Sequence, residues 1–157
     1  TPMQYSVFFG CTAGANMLMA LTNSRLVGRY RPRRLIAVGL GISGAGIVLV
    51  TLAVLVWGVA LVPLCAGFVL IMAAQGLIFG NAGALALGEV RHVAGAASAL
   101  LGVAQAIAMG VSAPLASSGG GASAVPMVAV MLTGIIGAWA AYLLVGRAPS
   151  ERRLPGA

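Results

Sequence analysis

The chain has no Lys and no Asp among its 157 residues, and only one His, two Cys and two Glu. Nucleophilic or acid–base catalysis needs a reacting group, a base and an orienting partner held together, and this inventory assembles no such set. Cys11 and Cys65 each lie in an apolar stretch, with neither CxxC nor metal-ligand spacing, and read as small buried hydrophobes. The expectation is a protein that is not an enzyme and carries no metal and no cofactor. Charge is also scarce. Charged residues make up 7% of the chain, against roughly a quarter in soluble domains. Nine Arg and two Glu cannot clothe the surface of a water-soluble fold of this length.

What fills the chain instead is apolar sequence, 61% of it. A helix needs about 20 mostly apolar residues to cross the hydrocarbon core of a bilayer. Five segments meet that length: about 5–24, 35–57, 61–87, 94–116 and 124–146. The fold expected is an all-α membrane protein, a bundle over residues 1–146 followed by a polar, disordered tail over 147–157. Gly58-Val59-Ala60 and Pro63 separate spans two and three, and Ser117 to Ser123, with three consecutive Gly, separates four and five. Pro114 stands near one end of span four, where a helix would bend.

The nine Arg fall in three clusters. Arg25, Arg29, Arg31, Arg33 and Arg34 lie between spans one and two, Arg91 between three and four, and Arg147, Arg152 and Arg153 after span five. All therefore fall on one side of a five-span chain, and none is interleaved with aromatics as in a nucleic-acid surface. The partner expected is a lipid bilayer, not nucleic acid. The positive-inside rule makes the Arg side cytoplasmic, with residue 1 outside and the C-terminus inside. Position 1 is Thr and no charged stretch precedes the first apolar run. No signal peptide is visible, and the sequence reads as a piece of a longer protein.

In lipid, apolar area does not drive helices together, so small residues must admit close backbone contact. Ser98, Gly102, Ala106 and Gly110 recur along span four, Gly76, Gly80 and Ala84 along span three, and Gly39/Ser43 and Gly41/Ala45 along span two. Gly39 to Gly44 also spells GxGxxG, but the next acid is Glu89, too distant for a dinucleotide site, and the motif lies inside a spanning run. Strong polar groups within spans are Asn16, Gln75, Asn81 and Gln105. Each must be satisfied in hydrocarbon, either by a neighbouring helix or by a substrate. Asn16, Gln75 and Gln105 are close to mid-span, where transporters place binding sites, and Asn81 is nearer the Arg side. Spans two and five lack such groups, so one, three and four read as interior and two and five as lipid-facing. Glu89, Arg91 and His92 form the turn between spans three and four, either as caps paired with neighbouring Arg or as a proton-handling group.

Asn23 to Leu35, NSRLVGRYRPRRL, resembles the cytoplasmic loop between the second and third helices of a major facilitator superfamily half, with Arg25, Arg29, Arg33 and Arg34 as its basic residues. Gly28 stands where the better copy of that motif has Asp, and Arg31 where it has Gly, which puts the loop's charge-relay role in doubt. Asn81 to Leu87, NAGALAL, with Ala94 to Gly102, AGAASALLG, and Gln105, is similar to the tenth-to-eleventh helix region of Bcr/CflA-type drug–proton antiporters. The resemblance implies helices eight to twelve of a twelve-helix transporter in a bacterial inner membrane. It implies proton-driven multidrug efflux by alternating access, with drug-like small molecules, protons and an N-terminal half as partners, and spans two and five peripheral. A metabolite or sugar porter of the same superfamily, or a non-transport accessory membrane protein, are the other readings.

Overall fold

The computed structural model describes residues 2–58, 60–120 and 123–147. The polar tail expected over 147–157 lies outside them except for Arg147, as do Thr1, Val59, Gly121 and Ala122. Five long α-helices account for nearly all described residues: α1 (Pro2–Leu26), α2 (Pro32–Leu55), α3 (Leu61–Glu89), α4 (Ala94–Ser117) and α5 (Val125–Arg147). Four of them, α2 to α5, are long and apolar enough to cross a membrane. The first has the length, at 25 residues, but Gln4, Asn16 and Asn23 make it less apolar. The chain is therefore an all-α, multi-pass membrane protein.

Turn chemistry sets where the helices stop. Gly28, Gly58 and Gly120 have positive φ, of 105°, 62° and 56°, a region that other residues enter only with strain. Gly28 lets α1 end by folding the chain back, so that the N–H groups of Arg29 and Tyr30 both donate to the Leu26 carbonyl at 3.0 Å. An Asp at 28, as in the loop motif that this stretch resembles, would sit poorly on that backbone. Pro32 then opens α2 from its first turn, where a missing N–H costs nothing. Pro114 lies within the last turn of α4, which continues to Ser117.

Contacts run in the order α1, α3, α2, α5, α4. The close pairs show the directions. Asn16 of α1 meets Met72 of α3, and Asn23 meets Asn81, so these helices run parallel. Gly46 of α2 meets Gly67 of α3 while Gly39 meets Ala74 to Ile78, so this pair is antiparallel. Arg33 at the start of α2 bonds Tyr142 near the end of α5. Successive helices thus alternate, and the Arg-rich connection, Glu89 and the end of α5 come to one end.

The tightest seam joins α2 and α3. A methyl group built on Gly46 would stand 2.8 Å from the Gly67 carbonyl oxygen, and one on Gly67 would stand 2.6 Å from a Val50 methyl. Gly39, Ser43, Gly46 and Val50 are buried along that face of α2. Gly41 and Ala45 face outward, and nothing lies within 4 Å of a methyl built on Gly41. This corrects the interior-and-periphery expectation. α2 lies in the middle because its small residues let it approach closely, although it carries no strong polar group. α4, which its polarity also places inside, packs on α5 at the edge of this chain and buries no residue within it. A second layer forms where Ile47, Val50, Ile71 and Val128 bring α2, α3 and α5 together.

Two measurements check this packing. Gly46→Leu or Gly67→Leu forces backbones apart and is expected to cost about 1–3 kcal/mol, read as a lower melting temperature in detergent, whereas Gly41→Ala leaves it unchanged. Cys11 and Cys65 line one small pocket between α1 and α3, so a short bismaleimide should join them within one chain, and failure to cross-link contradicts the parallel pairing.

Candidate functional site

Most hydroxyls in the helices satisfy themselves locally. Thr12, Thr22, Ser24, Thr51, Ser112 and Thr133 all donate to a carbonyl three or four residues back. Such bonds keep polar atoms out of hydrocarbon without another helix. The longer amides divide into two groups.

Asn16, Asn23 and Asn81 belong to a seam between α1 and α3. Asn16 Nδ2 donates to the Met72 carbonyl at 2.9 Å. Asn81 Nδ2 donates both to Asn23 Oδ1 and to the Leu77 carbonyl, at 2.7 Å each, with Asn81 1% and Asn23 8% exposed. Gly76 makes this possible. A methyl there would lie 2.8 Å from the Asn16 carbonyl oxygen and the Ala20 nitrogen, so the two backbones nearly touch. Gly80 lies beside the Asn23 amide, at an ordinary 3.5 Å from a built methyl. Gly76 is thus the point of close approach between α1 and α3, whereas Gly80 is exposed and meets only the Asn23 amide. Asn23, which the sequence reading passed over as part of the loop motif, is the buried partner that Asn81 needs.

Gln75 and Gln105 form the other group. Neither hydrogen-bonds a described residue. Gln75 is half-buried on α3 and Gln105 is exposed on α4. The stripe of Ser98, Gly102, Ala106 and Gly110 is likewise exposed, with nothing within 4 Å of a methyl built on Gly102 or Gly110. Within this chain it packs nothing.

At the Arg-bearing end the expected caps are absent. Arg91–Val93 form a 3₁₀ turn, and neither α3 nor α4 receives a side-chain capping bond there. Backbone bonds, Val90 N–H to the Leu87 carbonyl and Val93 N–H to Val90, close the turn instead and leave Glu89, Arg91 and His92 exposed. Arg33 is the loop-motif residue with a defined partner. Its Nη2 donates to the Tyr142 carbonyl at 3.1 Å, and its guanidinium lies 5.0 Å from the centre of the Tyr142 ring. Trp139 meets the same ring edge-to-face at 5.7 Å. Arg25, Arg29 and Arg34 are exposed beside it. Arg33, Tyr142 and Glu89 line a cavity of about 640 Å³ between α2, α3 and α5, walled by apolar side chains including Leu40, Ile78 and Val145.

No family model, curated protein or solved structure matches the chain. Its geometry therefore carries the functional reading, and among the described residues it offers an interhelical clamp, the uncommitted amides of Gln75 and Gln105, and the cavity at the Arg-bearing end.

The clamp is testable. Asn81→Ala leaves the buried Asn23 amide unpaired and is expected to destabilise by about 1–2 kcal/mol. The Asn23→Ala/Asn81→Ala pair should lose less than the sum of the two single changes. Full additivity in a double-mutant cycle of detergent melting would mean that the bond contributes nothing.

Proposed function

We propose that this chain is part of a secondary active transporter that works by alternating access, and that its activity is proton-coupled efflux of drug-like small molecules. The observation that carries this reading is the pair of uncommitted amides, Gln75 and Gln105, in spans that hold no charged side chain between their ends. An unpaired amide in hydrocarbon is costly, so residues of this kind in a membrane protein serve a partner helix or a bound molecule. Apolar walls with one or two hydrogen-bonding groups suit amphipathic substrates held by dispersion without a counter-ion. A sugar site needs a denser set of hydrogen-bonding and aromatic groups than these spans supply.

Further helices belong to this proposal. The uncovered stripe on α4, next to Gln105, supports contact with helices of an N-terminal half, and the loop motif at residues 23–35 supports the major facilitator reading. Protons would have to be carried by a group in that other half, or by Glu89. The Arg-bearing end would be cytoplasmic and the membrane a bacterial inner membrane. The same uncovered face also fits an accessory membrane subunit. About seven further spans encoded upstream favour the transporter, and a start codon just before Thr1 favours the accessory protein.

In the complete protein, Gln105→Leu is expected to change the ratio of resistance between two substrates by about threefold or more, the equivalent of one intramembrane hydrogen bond of about 0.6 kcal/mol. Unchanged ratios at normal expression would remove Gln105 from the site. The five helices alone enclose no two-sided path, so the purified chain reconstituted in vesicles should show no substrate flux.

A further inference from the structure

The cavity at the Arg-bearing end holds two opposite charges that do not neutralise each other. Arg33 is the second residue of α2 and Glu89 the last of α3, so both stand where the apolar spans end. They line the same cavity, yet no ion pair joins them, and Glu89 accepts no hydrogen bond from a described residue. Two exposed opposite charges at neighbouring helix ends are free to pair, for a small gain, when nothing else holds them. Here Arg33 is held elsewhere, by the Tyr142 carbonyl and by the ring beneath it. A guanidinium has five N–H donors, and one Nη2 bond leaves most of them for another acceptor. Below this mouth the walls are apolar, with Leu40, Ile78 and Val145 among them, and the cavity measures about 640 Å³.

The geometry points to a site for a zwitterionic aminophospholipid, with its phosphate on Arg33, its primary ammonium on Glu89 and its glycerol and upper acyl chain against the apolar walls. Three observations select this occupant. The cavity is at the end of the spans, where lipid headgroups sit. It pairs a fixed guanidinium, which suits phosphate, with an unpaired carboxylate, which repels a purely anionic headgroup. Its interior is apolar, which excludes a small free zwitterion as the best fit. A primary ammonium can donate hydrogen bonds to Glu89, whereas the quaternary ammonium of a choline headgroup cannot. The site is independent of the transport reading and would exist in an accessory protein as well. Occupancy would join the ends of α2, α3 and α5 through the lipid.

The test is native mass spectrometry of the full chain titrated separately with phosphatidylethanolamine, phosphatidylglycerol and phosphatidylcholine of identical acyl chains. The expected result is at least about fivefold tighter binding of phosphatidylethanolamine than of either other lipid. Glu89→Gln should bring the ratio to phosphatidylglycerol close to one. Arg33→Gln should weaken all three, while Arg34→Gln and Arg91→Gln, which lie off the cavity, should change nothing. Equal affinity of the unaltered chain for the three headgroups overturns the proposal, and so does a preference for phosphatidylglycerol. That comparison needs no variant, so a substitution that impairs folding does not remove the test. Persistence of the preference in folded Glu89→Gln also overturns it.

Discussion

Everything in this molecule follows from a solvent that accepts neither charge nor unpaired backbone. Between the helix ends the described spans hold no charged side chain, and most hydroxyls turn back onto their own helices. With charge and apolar area both unable to hold helices together, close contact between small residues takes over. Gly46 against Gly67, and Gly76 against Asn16 and Ala20, are the points where this happens. At each of them a larger residue would press on the main chain of the opposing helix, and at Gly46 and Gly67 on the Ile71 and Val50 side chains as well.

Those contacts also decide the order of the helices. Because α3 has a small-residue seam on each of two sides, it can lie between α1 and α2. The two seams differ in chemistry. The α2 side is glycine on glycine, with Ile71, Ala74 and Leu77 buried beside it, whereas the α1 side adds the buried Asn23–Asn81 bond. A polar bond of this kind fixes register more than it adds stability, since an amide in lipid finds other partners when its own is lost. α4 has a comparable stripe but no opposing helix in this chain, so the same sequence pattern that is a seam in α3 is an open face in α4.

The helices themselves were plain in the sequence. The largest differences between expected and observed ends are Tyr5 against Pro2 and Leu35 against Pro32. Length, apolarity and Gly/Pro punctuation are local, so they can be read locally. Which face of α2 packs could not be read in that way. Gly39, Gly41, Gly44 and Gly46 crowd eight residues, and each is equally small; only the opposing α3 side chains distinguish them. The site was legible in part. Asn16 and Asn81 stood out as intramembrane amides, but their partners did not, because Met72 and Asn23 lie more than fifty positions away. Arg33 was visible as one Arg among five, while its bond to Tyr142 spans 109 positions and has no sequence signature. The cavity that these residues frame was therefore invisible until the chain was folded.

The gathering of charge at one end gives the molecule its functional asymmetry. That end has the Arg33–Tyr142 contact, Glu89 and the cavity, and the other has the apolar Ile47, Val50, Ile71 and Val128 layer. The bilayer must separate the two. The most direct measurement uses Cys11→Ala/Cys65→Ala protein carrying a single new cysteine, either Tyr30→Cys in the Arg-rich connection or Ser118→Cys between α4 and α5, treated with a membrane-impermeant maleimide in intact cells. The account predicts labelling at 118 in intact cells and at 30 only after permeabilisation. Labelling of both positions from the same side would contradict it.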